Sequence, residues 1–434
     1  MIVPRNRLLF WFAVIVLPFS VLAGTHPSTL PACLAIIAAF VLVAVWDVLT
    51  SRRLLNGLHL EAPAISRLAI DKEGQFELRL RNESRQPRAL RLALPLPAEF
   101  TAPWDEIEVA LPAEVEWSQF PWTCLPNKRG RYSLDAAYLE SASPLGLWSV
   151  RKTMPLRAEI RVFPNMQKER KGLGLMFRGA FGTHAQRQVG KGREFEKLRD
   201  YVTGDGSEDI HWKATARRGK PVTKVFQVER TQEVYVALDT SRLSAREDAI
   251  ERHISTALLI GAAAEQQGDL FGLLSFSDRV ENFVRARTGT AHYNSCRDAI
   301  YALQPSEVNP DFDEVCSFIR LRLRRRALVI ILTALDDPVL AENFVRNVDI
   351  IARQHLVVVG MMKPSGVAPL FSDPAVSTSD DLYEKLGGHL RGQNLEEISR
   401  LLQRRGVKLS IFDSERMGLS LVSEYLNIKK RQLL

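Results

Sequence analysis

From residue 233 onward, the chain alternates short, almost wholly apolar segments with longer amphipathic ones. The apolar segments lie at 233–238, 270–276, 327–333 and 356–361, with a weaker one at 407–412. Helical patterns at 246–267, 292–303, 311–325, 338–354, 380–404 and 415–431 separate most of them. Strands that lack a polar face are buried on both sides, which is typical of parallel sheets covered by helices. Residues 233–434 are therefore predicted to form an α/β domain, with ligand sites expected at the carboxyl ends of its strands.

Residues 56–165 follow a different pattern, in which apolar and polar residues alternate with a period of two. The segments 75–81 and 89–94 show it most clearly, and 82–85 between them resembles the turn of a hairpin. Alternation of this kind is typical of strands with one buried face, and the frequent prolines suit edges and loops. We predict a small β-sandwich for this region.

The amino-terminal region contains two apolar runs, 8–24 and 32–49, each near the length that crosses a bilayer as a helix. Arginines 5, 7, 52 and 53 flank the outer ends of the pair, whereas the loop at 25–31 has no Lys or Arg. Because positive charge favours the cytoplasmic side, residues 1–55 are predicted to form a transmembrane helical hairpin with both ends in the cytoplasm. Cleavage of a signal peptide after Ala23 is the alternative for the first run.

The rest of the composition argues against several classes of protein. Cysteines 33, 124, 296 and 316 form no CxxC pair, so neither a zinc site nor a disulfide framework is predicted. The formal charge is +8, but the densest cluster of positive residues, 320–326, lies at the end of a predicted helix, and nucleic-acid binding is not expected.

Residues 166–192 are rich in Gly and basic residues and are predicted to be a linker. Gly190-Lys191-Gly192 within it lacks the spacing of a phosphate loop, so no nucleotide site is predicted.

Residues 193–217 are the most distinctive part of the chain, because their charged and aromatic residues follow neither a helical nor a strand period. The pattern resembles the signature of the bacterial domain-of-unknown-function 58 (DUF58) family. An Arg129-Gly130-Arg131-Tyr132 strand and the turn at 143–148 also resemble that family, with Ser143 where an Asp is usual. The matching positions of the signature are Glu194, Phe195, Leu198, Arg199, Tyr201, Gly204, Asp205, Ile210, Trp212, Ala216 and Arg217.

Two interpretations of this signature segment, which spans 166–232 with its basic linker, remain open. In the first, Tyr201 and Trp212 pack with Arg199 and Arg217 and fix the connector onto the α/β sheet. In the second, the same residues and Lys213 bind a partner protein. An acid-base role is the weakest interpretation, because Asp205 suits a turn, Asp209 suits a helix cap and His211 suits the surface.

The first predicted strand of the α/β domain ends in Asp239-Thr240-Ser241-Arg242-Leu243. This resembles the D-x-S-x-S opening of a von Willebrand factor A domain, which is a Rossmann-like fold whose metal site takes oxygen ligands for a divalent ion. The match is incomplete, because Leu243 replaces the second Ser and Ala334 stands where an Asp is usual. The candidate ligands are Asp239, Ser241 and Asp336. We expect a degenerate site in which Asp239 and Ser241 form a structural turn; a bound Mg²⁺ is the alternative.

The resemblances imply a membrane-anchored adaptor and not an enzyme. Proteins of this family resemble partners of MoxR-type AAA+ ATPases and of other membrane proteins, which implies a cytoplasmic scaffold on the bacterial inner membrane that needs no cofactor. The alternative is a metal-assisted hydrolase with a divalent ion near Asp239 and Ser241. Adhesion outside the cell would require the reverse topology, which the basic flanks oppose.

Overall fold

A computed structural model describes residues 1–181, 189–190, 194–203, 206–227, 231–368 and 379–431. The chain divides into two compact units, Met1–Asn165 and Met166–Leu434, which we describe separately.

The first unit begins with a short strand, β1 (Ile2–Pro4), followed by two long apolar helices. The first comprises α1 (Asn6–Trp11), a π-helical segment (Phe12–Val16) and α2 (Leu17–Thr25); the second is α3 (Leu30–Ser51). Both are long and apolar enough to cross a membrane. Their apolar side chains are mostly exposed, as in Phe10 and Leu42, which suits contact with lipid. The two predicted membrane-length runs are thus both helical.

Nine further strands follow α3 in the described part of this unit. They form two sheets, in the orders β1-β10-β9-β5-β7, with β3 beside β10, and β2-β4-β8-β6. In β4 the side chains of Phe76, Leu78 and Leu80 are buried while Glu77 and Arg79 face outward. The inner faces of both sheets share one hydrophobic core. The strands are β2 (Leu58–Glu61), β3 (Ile65–Ala69), β4 (Gly74–Asn82), β5 (Arg88–Ala93), β6 (Phe100–Thr101), β7 (Glu106–Leu111), β8 (Trp117–Pro126), β9 (Gly130–Ala142) and β10 (Trp148–Phe163).

The second unit opens with a helix, α4 (Gln167–Phe181), where the sequence predicted a linker. Leu173 is buried, and Met176 and Phe177 pack against the same core as it does. Packing of this apolar face outweighs the low helix propensity of Gly172 and Gly174.

The signature segment then forms a small sheet of its own, in the order β11-β13-β12. Its elements are β11 (Val189–Gly190), β12 (Glu194–Asp200), α5 (Trp212–Arg218) and β13 (Val222–Gln227).

The remainder of this unit is a six-stranded sheet in the order β16-β15-β14-β17-β18-β19. All neighbours are parallel except β15 and β16, which are antiparallel, and β16 was not predicted. The elements are β14 (Glu233–Asp239), α6 (Ala249–Gln266), β15 (Leu270–Phe276), β16 (Val280–Arg287), α7 (Thr290–Ile300), α8 (Phe312–Arg322), β17 (Leu328–Leu332), α9 (Pro338–Asn347), α10 (Asp349–Ala352), β18 (Leu356–Met362), α11 (Ser379–Arg404), β19 (Lys408–Phe412) and α12 (Met417–Lys430).

Helices cover both faces of this sheet. Alternate residues of β14 enter two different cores, Val236 and Leu238 on the side of α6 and α12, and Tyr235 and Ala237 on the side of α8 and α9. Strand β14 lies between β15 and β17, so their carboxyl ends meet at one edge. This edge carries Asp239, the residue that the sequence singled out.

Candidate functional site

Asp239 is fully buried at the carboxyl end of β14, and protein donors satisfy both of its carboxylate oxygens. The backbone N–H of Ser241 donates to Oδ1 at 2.8 Å, and the hydroxyl of Thr333, just beyond β17, donates to Oδ2 at 2.5 Å. Burial raises the pKa of Asp239 above its ordinary value, because removal from water penalises the charged form. Asp239 therefore joins the ends of two neighbouring strands by hydrogen bonds.

The residues after Asp239 form a 3₁₀ turn, Arg242–Asp248. Ser241 begins it by accepting the N–H of Leu243 at 3.3 Å, and the hydroxyl of Ser244 donates to the carbonyl of Ser241 at 2.9 Å. Leu243 is only 1% exposed, so the residue that replaces the second Ser belongs to the core. Hydrogen bonds formed by Ser241 and Ser244 therefore stabilise this loop internally.

The two acids that follow β17 are both paired with arginines of that turn. Asp336 accepts a hydrogen bond from Arg246 at 2.9 Å, and Asp337 accepts one from Arg242 at 3.2 Å. Asp337 also caps α9 by accepting the N–H of Val339 at 3.0 Å. Sequence patterns did not indicate these pairs, because the arginines lie 90 and 95 residues before their acidic partners. Asp336 is thus an ion-pair partner in this fold.

The predicted ligands form hydrogen bonds with other groups of the protein. Ser241 and Thr333 donate to the two carboxylate oxygens of Asp239, and Arg246 donates to one oxygen of Asp336. Across the part of the chain that the structure describes, no three His, Cys, Asp or Glu side chains are grouped closely enough to hold a metal. Hard cations need several oxygen ligands converging on one point, and these contacts direct the candidate oxygens elsewhere.

A polar network surrounds Asp239 at the same edge. The hydroxyl of Thr240 lies 2.9 Å from the carbonyl of Phe276 and 3.1 Å from Glu281, which share its one hydrogen, while Ser306 donates to the carbonyl of Thr240 at 2.9 Å. Glu281 lies on β16, so its part in the network could not be predicted without that strand. The side chains of two loops, at Thr240 and Ser306, thus stabilise this edge.

His253 lies beneath Asp239 on α6 and is 2% exposed. It forms a hydrogen bond with the backbone of Asp239, and burial lowers the pKa of His253 to about 4. A histidine with this pKa is neutral at physiological pH. It therefore contributes packing and one hydrogen bond, and no positive charge, to the site.

We expect little affinity for Mg²⁺ or Mn²⁺, because both carboxylate oxygens of Asp239 and one of Asp336 already accept hydrogen bonds from the protein. Isothermal titration of the detergent-solubilised chain with each ion measures this. Asp239→Ala serves as the comparison, and its ion content should equal that of the wild type. A tight one-to-one site that this substitution abolishes would contradict the prediction.

The signature segment is built around α5, which follows β12 and precedes β13. Nδ1 of His211 caps the helix by accepting the N–H of Ala214 at 3.0 Å, so the predicted cap at Asp209 is wrong. Gly219 ends it with a φ of 67°, a left-handed conformation that favours glycine. Thr215 accepts the N–H of Val222 at 3.1 Å, which fixes α5 to the start of β13.

The aromatic residues of the segment are exposed. Trp212 exposes 69% of its surface and Tyr201 38%, and Lys213 and Arg217 on α5 are exposed as well. The interpretation in which Trp212 packs onto the α/β sheet is therefore wrong, because a packing anchor would be buried. Arg199 lies on β12 opposite Thr223 and is half-buried. Gly204 and Asp205 lie outside the described residues, as do the side chains of Glu194 and Phe195, whose backbone belongs to β12.

The three cysteines outside the membrane helices are buried and not activated. Burial raises the pKa of Cys124 to about 11 and that of both Cys296 and Cys316 to about 12. A thiol with such a pKa carries almost no thiolate at neutral pH. These cysteines act as small core residues.

Solved structures offer only weak likenesses. BatB, a conserved hypothetical protein from Bacteroides thetaiotaomicron, is 16% identical, with 46% of this chain and 99% of that one covered and a TM-score of 0.30. Proximal thread matrix protein 1 of the mussel byssus is 9% identical, with 44% of each chain covered and a TM-score of 0.24. At these TM-scores the likenesses carry no argument. No curated protein matches the sequence.

The family comparison is more informative. The family model described as "Protein of unknown function DUF58" matches residues 197–368. The match begins in β12, includes α5 with its exposed Trp212, and continues beyond β18, so it contains the signature positions from Leu198 onward and the Asp239 edge. It confirms the resemblance that the signature indicated. Residues 197–368 of this chain thus match the DUF58 family.

Proposed function

We propose that this protein is a membrane-anchored adaptor that binds other proteins and catalyses no reaction itself. The observation that carries the proposal is the exposure of Trp212, at 69%, on a short helix that also presents Lys213 and Arg217. Tryptophan and arginine are the residues that most often dominate protein interfaces. An indole exposed among basic side chains is thus suited to contact with a partner.

The surface around Trp212 suits a partner with acidic residues. Within residues 212–220 the charged side chains are Lys213, Arg217, Arg218 and Lys220, all of them exposed and all positive. A partner that combines carboxylates with an apolar pocket for the indole would complement them in charge and shape. Within the family resemblance, a MoxR-type AAA+ ATPase is the partner we propose, together with other membrane proteins.

The α/β sheet supports an interaction role better than a catalytic one. We propose that it is von Willebrand A-like, with Asp239 in the position of the first ligand, but with its metal chemistry replaced by hydrogen bonds and arginine pairs. Asp239 bonds to Thr333, and Asp336 bonds to Arg246. The hydrolase alternative requires an ion and an activated water at this edge, and no contact of the described residues favours it.

We propose that both units are cytoplasmic and that the hairpin lies in the bacterial inner membrane. Strand β1 pairs with Trp148–Val150 of β10, so the residues before the first helix are part of the sandwich sheet. Cleavage after Ala23 would remove that strand, which supports an uncleaved hairpin over a signal peptide.

A reporter fused after Leu434 tests this topology. We expect a reporter that works only in the cytoplasm to be active there, because Arg5, Arg7, Arg52 and Arg53 flank the hairpin. Activity of a periplasm-dependent reporter, or a mature amino terminus near Thr25, would rule the topology out.

Affinity purification of the full chain from solubilised membranes, with and without ATP, tests the adaptor function. We expect an AAA+ ATPase to copurify in an ATP-dependent manner. Recovery of the chain alone under both conditions, together with hydrolytic activity that depends on Mg²⁺, would support the enzymatic alternative.

A further inference from the structure

One acidic residue lies within the second membrane helix, and it is completely buried. Asp47 of α3 has no exposed surface, although most side chains of that helix are exposed. It is the single acidic or basic residue of the run 32–49. An ionisable group in an apolar helix is costly unless it is paired, and it is therefore a functional candidate. Asp47 precedes the helix end at Ser51 by about one turn, roughly 6 Å along the axis.

The carboxylate of Asp47 binds the turn that joins β9 to β10. Its Oδ2 accepts the hydroxyl of Ser143 at 2.6 Å, and its Oδ1 accepts the backbone N–H of Leu145 at 3.1 Å. In turns of this kind, the side chain of an Asp or Asn at the first position ordinarily accepts the backbone N–H of the residue two positions later. Here Ser143 occupies it, so the helix supplies the carboxylate that the turn lacks.

The same turn also holds the first membrane helix. The N–H of Arg5, just before α1, donates to the carbonyl of Leu147 at 2.9 Å. The side chain of Arg7 lies against Gly146, where an added Cβ would come 3.2 Å from a guanidinium nitrogen. The indole N–H of Trp148 donates to the carbonyl of Ala44 on α3 at 3.0 Å. The turn 143–148 thus contacts the outer ends of both helices.

We propose that the turn 143–148 is a docking site for the membrane hairpin, and that Asp47 is both its cap and the residue that fixes the hairpin to the sandwich. The β-sandwich is then held against the ends of its membrane helices and is not attached by a free linker. This inference does not depend on the adaptor function.

Hydrogen exchange of the full chain in lipid nanodiscs, followed on peptides covering 1–8 and 143–150, tests the proposal. In Asp47→Ala the amides of both peptides should exchange about tenfold faster or more, because Leu145 loses its acceptor and the helix loses its attachment. Leu49→Ala, at a lipid-facing residue that is 54% exposed on the same helix, is the control and should leave both peptides unchanged. Equal exchange in the two variants would overturn the proposal.

A variant that carries a carboxylate in the turn itself distinguishes the two roles of Asp47, which are capping the turn and attaching the hairpin to the sandwich. In the combined variant Asp47→Ala with Ser143→Asp, we expect protection of 143–150 to recover while 1–8 still exchanges fast. If Asp47→Ala alone unfolds the sandwich, the combined variant should restore protection in β4 and β8. Failure of Ser143→Asp to restore either the turn or the sandwich would show that Asp47 is not the cap.

Discussion

Replacing Asp239 with alanine should destabilise the second unit by roughly 2–5 kcal/mol, because the hydroxyl of Thr333 and the N–H of Ser241 would be left buried without an acceptor. Urea unfolding of the full chain, followed by hydrogen exchange in β14 and β17, measures the loss. The loss should be the same with Mg²⁺ and with EDTA. A loss that appears only in Mg²⁺ would mean that Asp239 binds a metal.

The matched variant Asp239→Asn distinguishes a structural carboxyl group from a charged ligand. The amide can still accept from Ser241 and can donate to Thr333, so most of the stability should remain. The pKa of Asp239 is raised in the folded state, so the stability it contributes is fully present below its ordinary pKa of 3.8 and is lost as pH rises through the raised value. The asparagine variant should therefore gain stability relative to the wild type as pH increases over that range. A difference that is independent of pH would contradict the assignment.

Replacing Trp212 with alanine should leave the fold intact and remove partner binding. With 69% of its surface exposed, the side chain contributes little burial, and we expect the free energy of unfolding to change by no more than about 0.5 kcal/mol. Binding of the ATPase should weaken by about 2 kcal/mol or more, roughly thirtyfold. Urea midpoints and pull-downs from the same preparation give both quantities.

Trp104→Ala is the matched control, because Trp104 is 66% exposed in the first unit and lies outside the signature segment. It should change neither stability nor partner binding. If Trp212→Ala unfolds the protein, or if both variants lose the partner equally, the residues around Trp212 are not the recognition surface.

Sequence patterns predicted the elements of the α/β sheet because their signal is local. Strand β17 is a run of five apolar residues, and α9 begins at Pro338 after a capping Asp337. The edge strand β16 was missed because its residues, Val280–Arg287, are mostly half-exposed and form no apolar run. Helix α4 was missed because its burial depends on α6 and α12, which are distant in sequence.

The sites were harder to predict than the elements. The sequence pattern singled out Asp239, but one of the two groups that donate to its carboxylate is the hydroxyl of Thr333, 94 residues away. Asp47 was not predicted to form any contact, because its partner Ser143 lies 96 residues further along the chain. Trp212 could not be assigned by type alone, because the same residue serves a core or an interface. Contacts between distant residues decide such cases.

Strand β10 determines how the first unit would respond to mechanical load. It runs for 16 residues, about 50 Å, from Trp148 beside the docking turn to Phe163, just before the second unit begins. Strands β1, β9 and β3 bond to it along this length. Sheet hydrogen bonds lie across the strands, so a pull along β10 would stretch many of them at once and not break them one after another. A force applied at Phe163 along β10 would therefore be resisted by all of these bonds together and would be transmitted to the docking turn beside Trp148.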